Sequence, residues 1–189
     1  SDLKAKFPKY SSEDMVEGQH RLLTEGLGLE HVRVIMGNSM GGMHTWIWGG
    51  KYPDYMDALV PMASQPTEMA ARNWMLRRLM IEMIRQDPGY NDGDYAEQPK
   101  AMRLANVFYA TATSGGTLAY QKLAPTREKA DKMVEDRLAV KFNADANDFI
   151  YQTRAEDLHD IAAGGDYAAA FRRIQARALL MPGTRDLLH

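Results

Sequence analysis

The feature that most constrains the fold of this chain is a serine flanked by glycines, in Gly37-Asn38-Ser39-Met40-Gly41-Gly42. The apolar run before it, residues 32–36, is rich in β-branched side chains and predicts a buried strand that ends at Gly37. The residues after it, from Met40 to about Lys51, predict a helix that stops before Pro53. A G-x-S-x-G sequence between a strand and a helix is typical of a tight turn with strained backbone angles.

Such a turn gives Ser39 a chemical role. Neighbouring segments are expected to pass close to the turn, so the positions two residues to either side, Gly37 and Gly41, have to be small. The turn lifts the Ser39 hydroxyl above the sheet edge, where the backbone N–H of Met40 can donate to a developing oxyanion and the helix dipole adds a favourable field. We therefore predict that Ser39 is a nucleophile; the alternative is a glycine-rich turn with an idle serine.

The elements on either side of this motif predict an α/β fold. A first helix begins at Ser11 or Ser12 and ends near Gly26 and Gly28. Its apolar face is expected to carry Met15, Val16, Leu22, Leu23 and Leu27. Residues 58–63 predict a second buried strand, although Pro61 is unusual in a strand.

A block of helices interrupts this pattern after Pro66. The candidate helices are residues 69–84, 98–113, 126–142 and 144–156, and a short helix at 166–173 and an apolar strand at 178–181 follow them. We predict that residues 1–65 and 166–189 are parts of one α/β core. Residues 66–165 are predicted to be a helical cap, or lid, inserted into that core.

A serine nucleophile needs a base and a carboxylate that orients the base. Asp186 lies in the loop after the strand at 178–181 and is the candidate acid; the alternative is a solvated loop residue or a helix cap. His189 follows Asp186 too closely to fold back as the base, and His44 lies on the predicted helix after Ser39, where we expect it to pack. The other histidines precede Asp186 and are expected at surface or helix positions: His20, His31 and His159. The base is therefore expected outside this chain.

Composition excludes several other functions. The formal net charge of −2 argues against nucleic-acid binding, which needs a basic face. No apolar run is long enough to predict a transmembrane helix, and no signal peptide is visible. The absence of cysteine excludes disulfides and thiolate chemistry and fits a cytoplasmic protein. The sequence predicts no metal cluster, P-loop or dinucleotide fingerprint, so we expect a small-molecule substrate and no held cofactor.

Several stretches together resemble the homoserine O-acetyltransferase family of the α/β-hydrolase superfamily. They are Phe7-Pro8 with residues 13–16, the Gly37–Met43 turn, Tyr52-Pro53-Asp54, Asp87-Pro88 with Gly93-Asp94-Tyr95, and residues 179–188. The resemblance implies the α/β-hydrolase fold, of which about three parallel strands can be identified, with an inserted helical cap. It also implies the chain order Ser, acid, His, with Ser39 as the nucleophile and Asp186 as the triad acid.

The resemblance further implies ping-pong acetyl transfer, in which the serine takes an acetyl group from acetyl-CoA, a substrate, and passes it to homoserine. Transferases of the family carry an arginine on a cap helix that binds the substrate carboxylate. Asn106 stands at that position here, and Arg103 lies one helical turn away as a candidate replacement. The family's fold has more strands than the three identified here, and the histidine is missing as well, so the resemblance implies that this chain is a portion of a longer polypeptide. The alternative is that another chain completes the sheet.

Three functions stay open on this reasoning. The first is an acyltransferase, and the second is a hydrolase of the same fold with water as the acceptor. The third is an inactive fragment or association module, for example a homodimer through the cap helices. Its contact would be the apolar stripe Trp74, Met75, Leu79, Met80 and Met83, which as an alternative covers the chain's own active site as a lid.

Overall fold

The computed structural model describes residues 2–113, 116–140 and 143–183, which fall into two compact units. The sheet unit consists of Lys9–Met69 and the described residues from Arg154 onward. The helical unit consists of Ala70–Thr153 and the described part of Ser1–Pro8. This division differs from the predicted boundaries in three places, because residues 2–8 group with the helices and residues 66–69 and 154–165 group with the sheet.

Direct contacts explain why the N-terminal residues belong to the helical unit. Lys4 Nζ lies 2.6 Å from Asp94 Oδ1. The Tyr151 hydroxyl donates to the backbone carbonyls of Ala5, at 3.0 Å, and Phe7, at 2.7 Å. These bonds are formed only in the folded protein between positions far apart in sequence, so the sequence pattern could not reveal them.

Three parallel strands form the sheet in the order β1-β2-β3, as the predicted α/β class requires. They are β1 (Val32–Asn38), β2 (Met56–Met62) and β3 (Arg177–Ala178). The β1–β2 register runs from the Val32–Met56 pair to the Asn38–Met62 pair, and β3 pairs with the middle of β2. The predicted strand at 178–181 is shorter than expected. Beyond Ala178 the chain still forms backbone hydrogen bonds with β2 at alternate residues. One of them joins the Met181 N–H to the Pro61 carbonyl at 3.2 Å.

Helices α1 (Ser12–Arg21), α2 (Met40–Lys51) and α8 (Tyr167–Arg173) belong to the sheet unit. The α1 N-terminus is fixed by a capping box, in which Ser11 and Asp14 each accept a hydrogen bond from the other's backbone N–H. A π-helical turn, Leu22–Gly26, extends α1 and is followed by Gly28, whose φ is +65°. The predicted helix at Met40–Lys51 is confirmed with the same bounds.

The core of the sheet unit forms between α2, α1 and the sheet. Its fully or largely buried members are Val16, Ile47, Trp48, Tyr55, Met56 and Leu59. The predicted apolar face of the first helix does not include Leu22 and Leu27, since both are 62% exposed. The π turn changes the number of residues per turn after Arg21, so the 3.6-residue pattern no longer holds there.

The predicted strand at 32–36 is also less buried than expected. Val34 is exposed and Met36 is 61% exposed, because these side chains lie where no described residue covers the sheet.

Pro61 is accommodated in the central strand, β2. It still supplies its carbonyl to Met181, and the only group it lacks is one backbone N–H near the strand end.

Five helices shape the helical unit and the chain that leaves it: α3 (Ala71–Arg85), α4 (Ala101–Thr113), α5 (Gly116–Leu123), α6 (Arg127–Ala139) and α7 (Ala146–Asp157). A 3-10 segment, Pro88–Gly93, follows α3. The buried cluster of this unit consists of Met80, Ile81, Ile84, Tyr90, Met102, Ala105, Ala146 and Ile150. Helix α5 was not predicted, because it is eight residues long and buries none of them, so it leaves no apolar period in the sequence.

The carboxylate of Asp87 stabilises the turn that follows the end of α3. Asp87 accepts hydrogen bonds from the backbone N–H groups of Gly89, at 2.8 Å, and Ala101, at 2.7 Å. These two bonds lower the pKa of Asp87. The same side chain thus closes the turn after α3 and fixes the start of α4. No helix among the described residues is long and apolar enough to cross a membrane.

Candidate active site

Ser39 occupies a sharp corner between β1 and α2. Its backbone angles are φ 54° and ψ −118°, a conformation that costs free energy for a residue with a side chain. Two hydrogen bonds hold it there. The Ser39 N–H donates to the Met62 carbonyl at 2.9 Å, one step beyond the last β1–β2 pair, and the Ser39 carbonyl accepts the Met43 N–H at 3.0 Å. The sheet on one side and the helix on the other therefore determine the corner.

The Ser39 hydroxyl does not serve the helix that it precedes. A serine at the residue before a helix usually accepts a hydrogen bond from an N–H of the first turn. Ser39 holds that position for α2 but makes no such bond, because its positive φ turns the side chain away from the usual capping geometry. Ser39 is half-buried, and within the described residues no hydrogen bond involves its hydroxyl. The role of Ser39 as a nucleophile stays a prediction.

The glycines around the corner are not equivalent. A Cβ on Gly37 would lie 2.1 Å from the Gly41 carbonyl oxygen and 2.2 Å from its carbonyl carbon. A Cβ on Gly42 would lie 2.3 Å from Ser64 Oγ and 2.8 Å from the Met62 carbonyl oxygen. The prediction that Gly41 itself must be small is wrong, because a Cβ there would meet nothing within 4 Å. The close approach involves the backbone of Gly41, against which Gly37 packs.

Met40 is the first residue of α2, directly after Ser39, and is half-buried. Backbone N–H bonds in a helix point towards its N-terminus, so those of the first turn face outward at that end. This is the location that the predicted oxyanion donor requires, and the role itself stays a prediction. The Thr45 hydroxyl donates to the Gly41 carbonyl at 2.8 Å and stabilises this first turn.

The predicted acid, Asp186, and the C-terminal His189 lie outside the described residues. The described chain ends at Gly183, and shortly before it the Met181 carbonyl accepts the Ala63 N–H at 3.0 Å. In a parallel sheet all strands end at the same edge. Met181, which pairs with Met62, therefore lies at the sheet edge where Ser39 follows β1, two strands away in the order β1-β2-β3.

His44 packs inside the sheet unit, where it is 6% exposed. Gln19 receives the Trp48 indole N–H on its Oε1 at 3.1 Å, so its Nε2 points to His44 Nδ1 at 3.3 Å as a donor. His44 Nδ1 is therefore the unprotonated ring nitrogen, and Nε2 is buried with no hydrogen-bond partner. Burial lowers the pKa of His44.

Two of the other three histidines lie where their surface or helix placement was predicted. His20 stacks on Tyr52, with ring centroids 3.8 Å apart. His31 is exposed and contacts Asp57 at 3.0 Å. The prediction for His159 is wrong, because it follows α7 in a turn and is only 2% exposed. Among the described histidines, none is hydrogen-bonded to the Ser39 hydroxyl.

The candidate substrate-binding residues Arg103 and Asn106 lie on α4 of the helical unit. Arg103 is exposed and lines a small cleft with Gln98, Lys100 and Ala144, and Asn106 is half-buried. Both substrate-binding roles stay predictions. In the part of the chain that the structure describes, no three histidine or carboxylate side chains are grouped to hold a metal ion.

A parallel sheet whose first strand passes through a positive-φ serine into a buried helix defines the α/β-hydrolase class of fold. Comparison with known proteins agrees. Residues 2–159 match the family model described as the alpha/beta hydrolase fold, and the chain belongs to that family.

Curated relatives and solved structures show which proteins of this fold the chain is similar to. The chain is 32% identical to homoserine O-acetyltransferase of Chlorobaculum tepidum over 197 residues, which cover 97% of this chain and 54% of the relative. It is 30% identical to the Zymomonas mobilis enzyme, again over 97% of this chain and 54% of the relative. These relatives confirm the resemblance seen in the sequence, and the chain spans about half of their length.

Among solved structures, homoserine O-acetyltransferase from Bacillus anthracis superimposes with a TM-score of 0.81 at 25% identity, covering 98% of this chain and 54% of that one. An acetylester hydrolase from Corynebacterium glutamicum superimposes with a TM-score of 0.83 at 24% identity, covering 100% and 56%. The second comparison establishes the shared fold alone.

Proposed function

We propose that this chain carries the nucleophile of a serine acyl-transfer enzyme and that the nucleophile is Ser39. The observation that carries the proposal is the strained corner, with φ 54° at a serine whose hydroxyl caps nothing. A strained residue persists only where the surrounding structure determines it, and such residues cluster at functional sites. The curated relatives named homoserine O-acetyltransferase support the same chemistry.

In the proposed reaction, Ser39 Oγ attacks the thioester carbonyl of acetyl-CoA while a base takes the hydroxyl proton. The Met40 N–H donates to the oxyanion of the tetrahedral intermediate. The C–S bond then breaks, the thiol of CoA leaves with the proton, and acetyl-Ser39 remains. The hydroxyl of homoserine attacks the acetyl carbonyl in the second half-reaction, its proton passes to the base and then to Ser39 Oγ, and Ser39 is regenerated. Acetyl-CoA is thus a substrate, and no held cofactor is required.

Two parts of the catalytic machinery lie outside the described residues in this proposal. Asp186 is the proposed acid that orients the base, on the basis of its place after the third strand. The proposed base is a histidine outside this chain, because His189 follows Asp186 too closely and none of the described histidines is hydrogen-bonded to the Ser39 hydroxyl. Losing either partner of the nucleophile should cost several orders of magnitude in rate.

A hydrolase that transfers the acyl group to water is the second candidate, and Asn106 favours it. A carboxylate is bound best by the planar, charged fork of an arginine, which the neutral Asn106 amide does not provide. Arg103 is the proposed substitute if the acceptor is an amino acid. The acceptor therefore depends on whether Arg103 binds a carboxylate.

The acceptor can be tested by following acetyl-CoA cleavage with and without homoserine. A transferase should release free thiol faster when homoserine is added and form O-acetylhomoserine in equal amount. The variant Asn106→Arg should increase this transfer relative to hydrolysis. If thiol release does not respond to homoserine or to similar alcohols, the transferase is rejected and the hydrolase is favoured.

The nucleophile can be tested with an organophosphonate probe that modifies activated serines. We expect labelling of Ser39, complete loss of labelling in Ser39→Ala, and unchanged labelling in the control Ser11→Asn, since Asn keeps the helix cap. Labelling at another serine, or full activity in Ser39→Ala, would contradict the proposal. No labelling of the intact protein at any serine would support the inactive association module.

Association through the helical unit is a separate proposal. The apolar stripe predicted on α3 divides between two faces, since Met80 is buried while Met75 is 64% exposed and Leu79 is 52% exposed. The exposed part, which also includes Trp74, suits a homodimer contact. Light scattering across a concentration series tests this, and a strict monomer would reject it.

A further inference from the structure

The chain that follows β2 contacts the Ser39 corner from two directions. We name the segment Met62–Pro66 the brace. Its Met62 carbonyl accepts the Ser39 N–H at 2.9 Å. Its Ser64 side chain packs on the first turn of α2, where a Cβ added to Gly42 would lie 2.6 Å from Ser64 Cβ. The brace therefore fixes the position of the Ser39 amide and the position of α2, the helix that follows it.

Beyond Met62, where β2 ends, the brace is not a regular strand, so other groups must hold it. Ala63 has a φ of +43°, which is unfavourable for alanine and turns the chain out of the sheet. Ser64 Oγ is buried without a hydrogen-bond partner. The Ala63 N–H donates to the Met181 carbonyl at 3.0 Å, which fixes the brace at its β3 side.

His159 fixes the other end of the brace. Its Nε2 lies 2.9 Å from the Gln65 carbonyl oxygen, and the Ile161 N–H donates to the Pro66 carbonyl at 3.0 Å. A carbonyl oxygen only accepts hydrogen bonds, so Nε2 carries the ring hydrogen. All of these residues belong to the sheet unit, as Ser39 does.

The surroundings of His159 favour its neutral form. Its Nδ1 is buried with no hydrogen-bond partner. Burial lowers the pKa of His159, the nearby His44 of α2 lowers it further, and the Gln65 carbonyl and the adjacent Asp160 carboxylate oppose the shift. A neutral ring with hydrogen on Nε2 provides one donor for Gln65 and places no charge in the core.

We propose that His159 is a positioning residue for Ser39: its Nε2–H holds the Gln65 carbonyl, and the brace transmits this constraint to the strained Ser39 amide. The sequence of contacts is His159 to Gln65, along the brace to Met62, and from the Met62 carbonyl to Ser39. His159 does not touch the reacting atoms. The inference rests on the proposed function only in that it takes Ser39 as the nucleophile.

The test compares two replacements of His159 in the complete protein, which includes the base expected outside this chain. His159→Gln keeps an amide N–H close to the position of Nε2, whereas His159→Phe keeps the ring and removes the donor. His31→Phe is the control, because His31 is exposed and contacts neither the brace nor the corner. The first measurement is hydrogen exchange of backbone amides in residues 37–43, with the amides of Ile47 to Gly49 in α2 as an internal reference for global unfolding.

His159→Phe should speed exchange of the Ser39 amide at least about tenfold relative to the reference amides, because one buried carbonyl loses its donor. His159→Gln should restore most of the protection, and His31→Phe should match the wild type. If His159→Phe fails to fold, His159→Asn takes its place, since its shorter side chain cannot reach Gln65 with a donor. The proposal would be overturned if the Ser39 amide exchanged equally fast in His159→Gln and in the variant without the donor. It would also be overturned if exchange became faster uniformly over α2.

The second measurement is the kinetics of acetyl-ester cleavage and of Ser39 labelling. We expect kcat and the labelling rate to fall about tenfold in His159→Phe with KM within about twofold, because a displaced nucleophile affects the reaction more than binding. Hydrogen exchange decides the positioning role even if Ser39→Ala keeps its activity and the proposed function fails. If Ser39→Ala is inactive, selective exchange with an unchanged kcat would show that His159 does not position the nucleophile, and the inference would be wrong.

Discussion

Replacement of Gly37 by alanine tests the packing of the Ser39 corner most directly. The new Cβ would lie 2.1 Å from the Gly41 carbonyl oxygen, 2.2 Å from the carbonyl carbon and 2.8 Å from Gly41 Cα. Ordinary van der Waals contact begins at 3.4 Å, so the overlap involves three backbone atoms. No side chain rotation can relieve it, and either β1 or the first turn of α2 has to move.

The expected cost follows from this geometry. Overpacking against side chains that can adjust costs about 1–3 kcal/mol. Because the atoms met here are backbone, we expect Gly37→Ala to lower the free energy of unfolding by about 3 kcal/mol or more. Gly41→Ala is the matched control, because nothing lies within 4 Å of its added Cβ. Since alanine favours a helix more than glycine does, it should stabilise α2 by up to about 1 kcal/mol.

Urea unfolding followed by circular dichroism measures both variants. With a slope of about 2 kcal/mol per molar urea, Gly37→Ala should lower the midpoint by about 1.5 M, and Gly41→Ala should leave it unchanged or raise it slightly. The reasoning is refuted if Gly37→Ala stays within about 1 kcal/mol of the wild type, or if Gly41→Ala destabilises as much as Gly37→Ala. Either result would mean that the strand and the helix do not approach as closely as the corner requires.

Three further predictions concern strain, pH and helix capping. Ser39→Gly should raise the free energy of unfolding by about 1 kcal/mol while abolishing probe labelling, because glycine adopts a positive φ without strain; a loss of stability in urea unfolding would contradict this. His44 and His159 have pKa values lowered by burial from the usual 6.5, so the unfolded chain binds more protons in the interval below 6.5. The free energy of unfolding should therefore fall as the pH falls below 6.5 and level off under the lowered pKa values. The double variant His44→Gln, His159→Gln should flatten this pH profile, and an unchanged profile would show that other groups cause it. Asp87→Ala should cost the helical unit about 1–2 kcal/mol, since Gly89 and Ala101 lose their acceptor, whereas Asp87→Asn, which keeps one oxygen, should cost less in thermal unfolding.

The local elements of the fold could be predicted where propensity and tertiary packing agree. The glycine-flanked serine between a β-branched run and an apolar helix predicted the β1–α2 corner, and the bounds of α2 match those expected from the sequence. Helix α3 also ends where Asp87-Pro88-Gly89 predicted a stop. These signals are local, because capping residues, proline and glycine act on their immediate neighbours.

The sequence pattern was misleading where the backbone departs from regular geometry or where contacts join distant residues. The π turn at Leu22–Gly26 moved Leu22 and Leu27 out of the core, and α5 had no apolar face to reveal it. The packing of residues 2–8 on the helical unit depends on Asp94 and Tyr151, which are remote in sequence. The burial of His159 depends in the same way on Gln65.

The sequence by itself determined the class of fold and the identity of the candidate nucleophile. A serine flanked by glycines between a strand and a helix is compatible with few backbone conformations. Only the tertiary structure decided which glycine is indispensable, since Gly41 is open while Gly37 meets backbone atoms. It alone placed His159 against the chain that anchors Ser39. The physical reason is that steric limits on backbone angles act within a few residues, whereas burial and hydrogen bonding depend on which distant segments the fold brings together.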